Sequence, residues 1–152
     1  MLQAWRIVKE KHAATAFSGE GAAKTGGRWN SRGVAIVYAS STKALAVLES
    51  LVHLNPPIFF KYVAFRIEFN VSIVEEIPAN ALPEQWTAAP PTPSSQGIGD
   101  LWVREGRSAV LAVPSAILSG EPNYLLNPGH PDFKKIEIGS AEPFTFDPRL
   151  LV

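Results

Sequence analysis

A chain of 152 residues, 46% hydrophobic and 18% charged, with 13 prolines and 11 glycines spread among many turns, has the composition of one folded domain and not of a disordered segment. Fourteen basic side chains balance 14 acidic ones, so no overall field draws the protein to a phosphate backbone or an anionic membrane, and direct nucleic-acid binding is not expected. The lack of cysteine excludes a disulfide framework, a thiolate metal site and a cysteine nucleophile. With no signal-peptide core at the N-terminus and no apolar window near ~20 residues, a soluble, cytoplasmic protein is expected.

In chain order, residues 4–8 (AWRIV) read as a short opening strand. Residues 17–33, FSGEGAAKTGGRWNSRG, read as a shaped loop whose glycines permit close backbone approach. The β-branched and aromatic run 34–39 (VAIVYA) predicts a strand that passes directly into a helix, SSTKALAVLESLVHL. Ser41 or Thr42 caps its start, and Asn55 followed by Pro56 and Pro57 ends it. Strands follow at 59–69 and 72–77, then a long loop at 78–99 rich in Pro, Ala, Ser and Thr. Further strands are expected at 108–113, 134–138 and 143–146, with the turn-rich segment EPNYLLNPGHPD before the second of them. With no internal repeat and no linker, the expectation is a single α+β domain over residues 1–152.

Few residues carry chemistry by pattern alone. On a helical wheel Ala44, Leu45, Val47, Leu48, Leu51 and Val52 form an apolar stripe, with Glu49 on its edge. That position suits a half-desolvated catalytic carboxylate on a rigid helix, but an ordinary solvated glutamate fits the wheel equally. Arg28 stands in GGRWN, where glycines let the backbone bend around a ligand and a guanidinium offers a planar fork to phosphate or carboxylate; a plain surface arginine is the alternative. The loop is neither GxxxxGK[ST] nor GxGxxG, which excludes a P-loop or dinucleotide-fold reading. Tyr38 ends its strand as core packing or as the wall of a pocket for a flat heteroaromatic. His12, His53 and His130 lack ligand spacing, so no metal is expected, and Ser115 in VPSA has no GxSxG elbow around it.

The order GGRWN, a strand ending in tyrosine, SSTxALAVLESLVHL, VPSA and NYLLNPGHPDF resembles the RES domain, nearly end to end. The resemblance implies a fold similar to ADP-ribosyltransferase toxins, a mixed, largely antiparallel β core with flanking helices. It maps the family's arginine and glutamate onto Arg28 and Glu49, its active-site tyrosine onto Tyr38, and its serine onto Ser115, with Ser108 as the alternative. Trp29, Asn30, Leu126, Asn127, Pro128, His130 and Pro131 also fit the pattern. The implied activity is that of a toxin of a bacterial toxin-antitoxin pair that consumes NAD or transfers its ADP-ribose. The implied partner is an Xre-type helix-turn-helix antitoxin, with room for a homodimer within that complex.

On this reading Arg28, Tyr38, Glu49 and Ser115 are catalytic, and Arg28, Trp29, Asn30, Tyr38 and Asn127 bind NAD. Arg6, Lys24 and Arg32 are further phosphate candidates, and 79–99 is a lid or antitoxin-facing loop. Glu49 stabilises positive charge on the ribose, Arg28 holds phosphate, Tyr38 stacks near nicotinamide, and Ser115 orients Glu49 or Arg28. The rival class is a noncatalytic nucleotide- or partner-binding module. An RNA-cleaving toxin is disfavoured by the neutral charge and scattered histidines.

Overall fold

The structure is a computed structural model that describes residues 1–53 and 60–151. In chain order its main elements are β1 (Leu2–Lys9), α1 (Glu20–Thr25), β2 (Val37–Ser40), α2 (Lys43–Leu51), β3 (Tyr62–Phe69), β4 (Val74–Glu76), α3 (Pro93–Glu105), β5 (Val110–Pro114), β6 (Pro122–Leu126), β7 (Glu137–Ile138) and β8 (Glu142–Phe144). Short 3-10 turns join several of them. The strands form one sheet in the order β4-β5-β6-β2-β1-β3-β7, with β8 also on β3. Among the described residues only β4 and β5 pair in parallel, and the other pairings are antiparallel. This is the expected α+β domain.

Because paired residues share a face of a sheet, register sorts the side chains into two cores. Trp5 opposite Ser40, Tyr38 opposite Leu125, and Leu125 opposite Leu111 place these side chains on one face. There Leu111, Val113 and Leu125 pack with Trp29, Ile36 and Trp102, which come from the glycine-rich loop and α3. The opposite face gathers Ala4, Val37, Ala39, Ile67, Phe69, Val110 and Leu126. Each fully buried Leu, Val or Phe contributes about 1.5–3 kcal/mol, so the sheet is held from both sides.

Helix α2 starts where Thr42, with extended backbone, accepts the Leu45 amide through its hydroxyl at 3.0 Å. The expected stop at Asn55, Pro56 and Pro57, and Phe59 of the expected third strand, lie outside the described residues. The helix does not bury the whole apolar stripe read from the wheel. Leu45 and Ala46 are buried, whereas Leu48 and Val52 are 37% and 58% exposed. The buried face is rotated toward Glu49, because α2 packs across β1 and β2.

Several expected boundaries shift. The strand of residues 34–39 is observed at Val37–Ser40, and the loop of residues 17–33 contains the short α1. Of the expected strand 134–138, Lys134 and Lys135 end the 3-10 turn Pro131–Lys135, and strand is left at the two-residue β7. Two corrections are larger.

The expected loop 78–99 ends in the longest helix, α3. Pro93 takes the first turn, where its missing N–H costs nothing, and Gly106 closes the helix at φ 60°. Its buried face is Ser95, Gly99 and Trp102, of which the small Ser95 and Gly99 let the helix press onto the backbone of Trp29. A Cβ at Gly99 would lie 1.8 Å from the Trp29 carbonyl oxygen.

The turn-rich segment EPNYLLNPGHPD contains β6, a central strand between β5 and β2. Pro122 sits at its first position, where the ladder does not require a donor, and Tyr124, Leu125 and Leu126 supply the buried run.

Candidate functional site

Glu49 projects from α2 onto the ends of β5 and β6. Its Oε2 accepts the Ser115 hydroxyl at 2.9 Å and also the side-chain amide of Asn123. Ser115, 3% exposed, closes β5 and is itself fixed, since its Oγ accepts the amides of Ile117 and Leu118 at 3.1 Å each. Asn123 lies opposite Ser40 on β2 and Val113 on β5. Two donors thus converge on one carboxylate oxygen, and among the described residues Oε1 accepts no hydrogen bond.

Arg28, Trp29 and Asn30 lie in the loop between α1 and β2, on the face of the sheet that carries Tyr38. The Tyr38 hydroxyl donates to Asn30 Oδ1 at 2.6 Å and accepts the Trp29 amide at 3.0 Å. Gly27 is required here, because a Cβ would lie 2.7 Å from that hydroxyl. Burial drives the Tyr38 hydroxyl well above its ordinary ionisation range; the Trp29 amide opposes this, Asp100 adds to it, and Arg28 opposes it. Tyr38 is therefore a neutral donor at physiological pH.

Asn30, fully buried, donates through Nδ2 to the carbonyls of Ala22, Ser31 and Val34. Trp29 is 2% exposed and stacks on Trp86 with ring centroids 5.9 Å apart. These two side chains turn into the protein and shape the loop. Arg28 is half-buried and donates through one guanidinium nitrogen to the carbonyls of Trp86 at 2.7 Å and Ala88 at 2.9 Å. Its own carbonyl accepts Ser95 Oγ at 2.7 Å, and Gln96 holds the Gly27 carbonyl at 3.0 Å. Asp100 fixes the loop further on, accepting the amide and hydroxyl of Ser31.

The two clusters share a surface. Tyr38 and Ser40 stand on the same face two positions apart, roughly 7 Å along the strand, and Ser40 pairs with Asn123. Glu49, Ser115 and Tyr38 are thus placed along one ridge of the sheet, with the Arg28 loop beside it.

The remaining candidates sit elsewhere. Arg6 donates to the carbonyls of Ala16 at 2.7 Å and Tyr38 at 2.8 Å, so it braces β2 from the other face, and burial lowers its pKa to about 10. Lys24 and Arg32 are exposed. Ser108, the alternative serine, accepts the Trp102 indole N–H and donates to the Val110 carbonyl, both at 2.8 Å, away from Glu49. Asn127 is 5% exposed, holds the Gly129 amide at 2.9 Å, and lines a shallow cleft of about 400 Å³ with Val34, Asp100, Arg104 and Pro128. That cleft includes none of Arg28, Tyr38 or Glu49. His130 caps a 3-10 turn by accepting the Asp132 amide.

Sequence reasoning missed Asn123, Trp86, Ser95 and Asp100. Asn123 was hidden in a segment read as turn, and the other three in or beside a segment read as loop. A signal existed for Asn123: the run NYLL reads as a short strand once Pro122 is allowed at its start.

Comparison with known proteins bears on this site. The family described as RES domain matches residues 3–147. The Prs ADP-ribosylating toxin of Sphingobium sp. (strain YBL2) is 42% identical over 154 residues, covering 97% of this chain and 95% of that protein. Toxin Res of Yersinia enterocolitica is 36% identical over 149 residues, covering 96% and 97%. In fold, a chain of the crystal structure of the M. tuberculosis MbcT-MbcA toxin-antitoxin complex superposes with a TM-score of 0.73 at 17% identity, covering 99% of this chain and 86% of that one.

Proposed function

The chain belongs to the RES domain family, and from that membership and the site geometry we propose that it is the toxin of a toxin-antitoxin pair, an enzyme that cleaves NAD between nicotinamide and ribose. The observation that carries this reading is the Glu49 carboxylate, held at one oxygen by Ser115 and Asn123 and, among the described residues, accepting no hydrogen bond at the other, on the same sheet face as Tyr38.

The chemistry follows from charge. When the bond between the anomeric carbon and the pyridinium nitrogen breaks, its electron pair leaves with nicotinamide and the ribose becomes cationic. A fixed carboxylate beside that carbon stabilises the cation as it forms. At an effective dielectric of ~20, opposite charges ~4 Å apart attract by about 4 kcal/mol, worth up to roughly three decades of rate if felt only in the transition state. A nucleophile then attacks the anomeric carbon and loses its proton.

Arg28 would hold a phosphate of the substrate. To do so it exchanges the Trp86 and Ala88 carbonyls for phosphate oxygens, and a charged acceptor binds a guanidinium more strongly than a carbonyl does. The segment that supplies those carbonyls therefore acts as a lid over Arg28. Tyr38 would stack near the nicotinamide, with its hydroxyl fixed by Asn30 and Trp29. Trp29 and Asn30 support the site by shaping the backbone around it, whereas Asn127 serves the separate cleft beside Asp100.

Water, inorganic phosphate or a protein side chain could each serve as the acceptor of the ADP-ribosyl group. The name of the 42% identical relative, an ADP-ribosylating toxin, favours the protein acceptor as a second reading. The names of the relatives and of the superposed complex support an antitoxin partner, for which an Xre-type helix-turn-helix protein is the proposed class, acting in the cytoplasm.

The test is nicotinamide release from NAD by the purified chain, alone, with phosphate, and with cell extract, against Glu49→Gln. Release that disappears in the variant supports the reading, and the mass of the ADP-ribose product names the acceptor. Equal release by the variant would remove Glu49 from the mechanism.

A further inference from the structure

The Glu49 carboxylate accepts a hydrogen bond from Asn123, which heads the segment NYLLNPGHPDF but to which the sequence assigned no role. A carboxylate can only accept, so the Asn123 atom facing Oε2 must be the amide nitrogen. That orientation sends Oδ1 the other way, where it is buried and has no partner among the described residues. A buried carbonyl oxygen left unpaired costs about 1–3 kcal/mol, which an apolar residue beside Val113 and Leu125 would avoid. The benefit that offsets this cost lies on the other side of the amide, at Glu49.

Asn123 is well placed for that task. Its strand is flanked by β2 and β5, so its backbone is fixed from both sides, opposite Ser40 and Val113. Ser115 reaches the same oxygen from the end of β5. Two donors from different strands on one oxygen stop the carboxylate from turning about its last bond.

We propose that Asn123 is a positioning residue for Glu49, which together with Ser115 ties down Oε2 so that Oε1 is the oxygen offered to the anomeric carbon of NAD. The inference rests on the reading of Glu49 as the catalytic carboxylate.

Asn123→Ala and Asn123→Asp test it, with melting temperatures confirming that both fold. A positioning donor predicts that Asn123→Ala lowers kcat by about 10–100-fold while KM for NAD stays within about twofold. It also predicts that the isosteric Asn123→Asp is the poorer enzyme, because it loses the donor and sets a second carboxyl against the first. A residue that only fills space predicts the reverse order, with Asn123→Asp close to wild type, and that result would overturn the proposal. So would a change confined to KM.

A second measurement is independent of turnover. In the NMR spectrum, Glu49→Ala should displace the side-chain amide signals of Asn123, and Arg28→Ala should leave them in place. Unmoved signals overturn the contact itself. Displaced signals in a wild-type protein that releases no nicotinamide with any acceptor overturn the NAD reading, and the catalytic role of Asn123 with it, while leaving the contact intact.

Discussion

The Ser115 hydroxyl lies 2.9 Å from Oε2 of Glu49, although 66 residues separate the two in the chain. The same hydroxyl accepts two amides of the turn that follows β5, so it couples the carboxylate to a rigid sheet edge. Ser115→Ala removes one anchor of Glu49 and the acceptor of both amides. A fall in kcat of about 10–100-fold is expected, with a smaller change in KM for NAD. Steady-state kinetics of the variant check this, and an unchanged kcat would remove Ser115 from the site.

Tyr38→Phe keeps the ring and deletes a hydroxyl that serves Asn30 and Trp29. It leaves one acceptor and one amide unpaired, at a cost of about 1–3 kcal/mol, or roughly 2–12 °C in melting temperature. The pH dependence has a definite sign. Burial raises the folded-state pKa of this hydroxyl above the unfolded value of 10.0. Its contribution to stability is therefore complete below about pH 10 and is lost as the pH rises further, toward the folded value. Tyr62 and Tyr124 shift in the same direction, so the phenylalanine variant should show a shallower, not an absent, loss of stability above pH 10. Thermal melts between pH 8 and 11 compare the two proteins; an identical slope would refute the assignment.

Gly99→Ala tests the contact that seats α3 on the Arg28 loop. The added methyl would lie 1.8 Å from the Trp29 carbonyl oxygen, and both partners there are backbone or rigidly attached to it. A loss of about 3 kcal/mol or more is expected, with impaired NAD turnover, because the loop carrying Arg28 must shift. Denaturant unfolding measures it. Gly97→Ala on the same helix is the control, since a Cβ there meets nothing within 4 Å.

Arg28→Lys separates charge from geometry. Lysine keeps the positive charge but loses the planar fork that would grip phosphate, while the two carbonyls are now held by a single guanidinium nitrogen. KM for NAD should rise about tenfold or more, with kcat less affected and the melting temperature nearly unchanged. An unaltered KM would show that Arg28 does not contact the substrate.

Local sequence made much of this legible. The β-branched and aromatic run in residues 59–69 and the cap at Ser41 or Thr42 before an apolar helix are short-range signals, and β3 and the start of α2 formed where they pointed. The positions of Arg28, Tyr38, Glu49 and Ser115 came from motif order resembling the RES domain, while the wheel alone left Glu49 undecided between cleft and solvent. Where composition misled, a residue's local habit was overruled by its place in the fold. Pro93 and Gly99 read as loop because both weaken helix interiors, yet one sits in the first turn and the other is needed for close packing on Trp29. Pro122 concealed β6 in the same way.

By itself the sequence determined the elements whose signals are local: strands from β-branched and aromatic runs, a helix start from its cap, and the loop that bends at glycines. It also determined which chemical groups were available, among them Arg28 in a glycine-rich loop and Glu49 on a helix edge, with no cysteine to compete. Only the tertiary structure decided which of these groups meet. The hydrogen bonds that aim Glu49 come from Ser115 and Asn123, on two strands distant in the chain, and the carbonyls that cover Arg28 come from Trp86 and Ala88. Such contacts depend on sheet order and register, which place β6 between β5 and β2, and no window of neighbouring residues encodes that order.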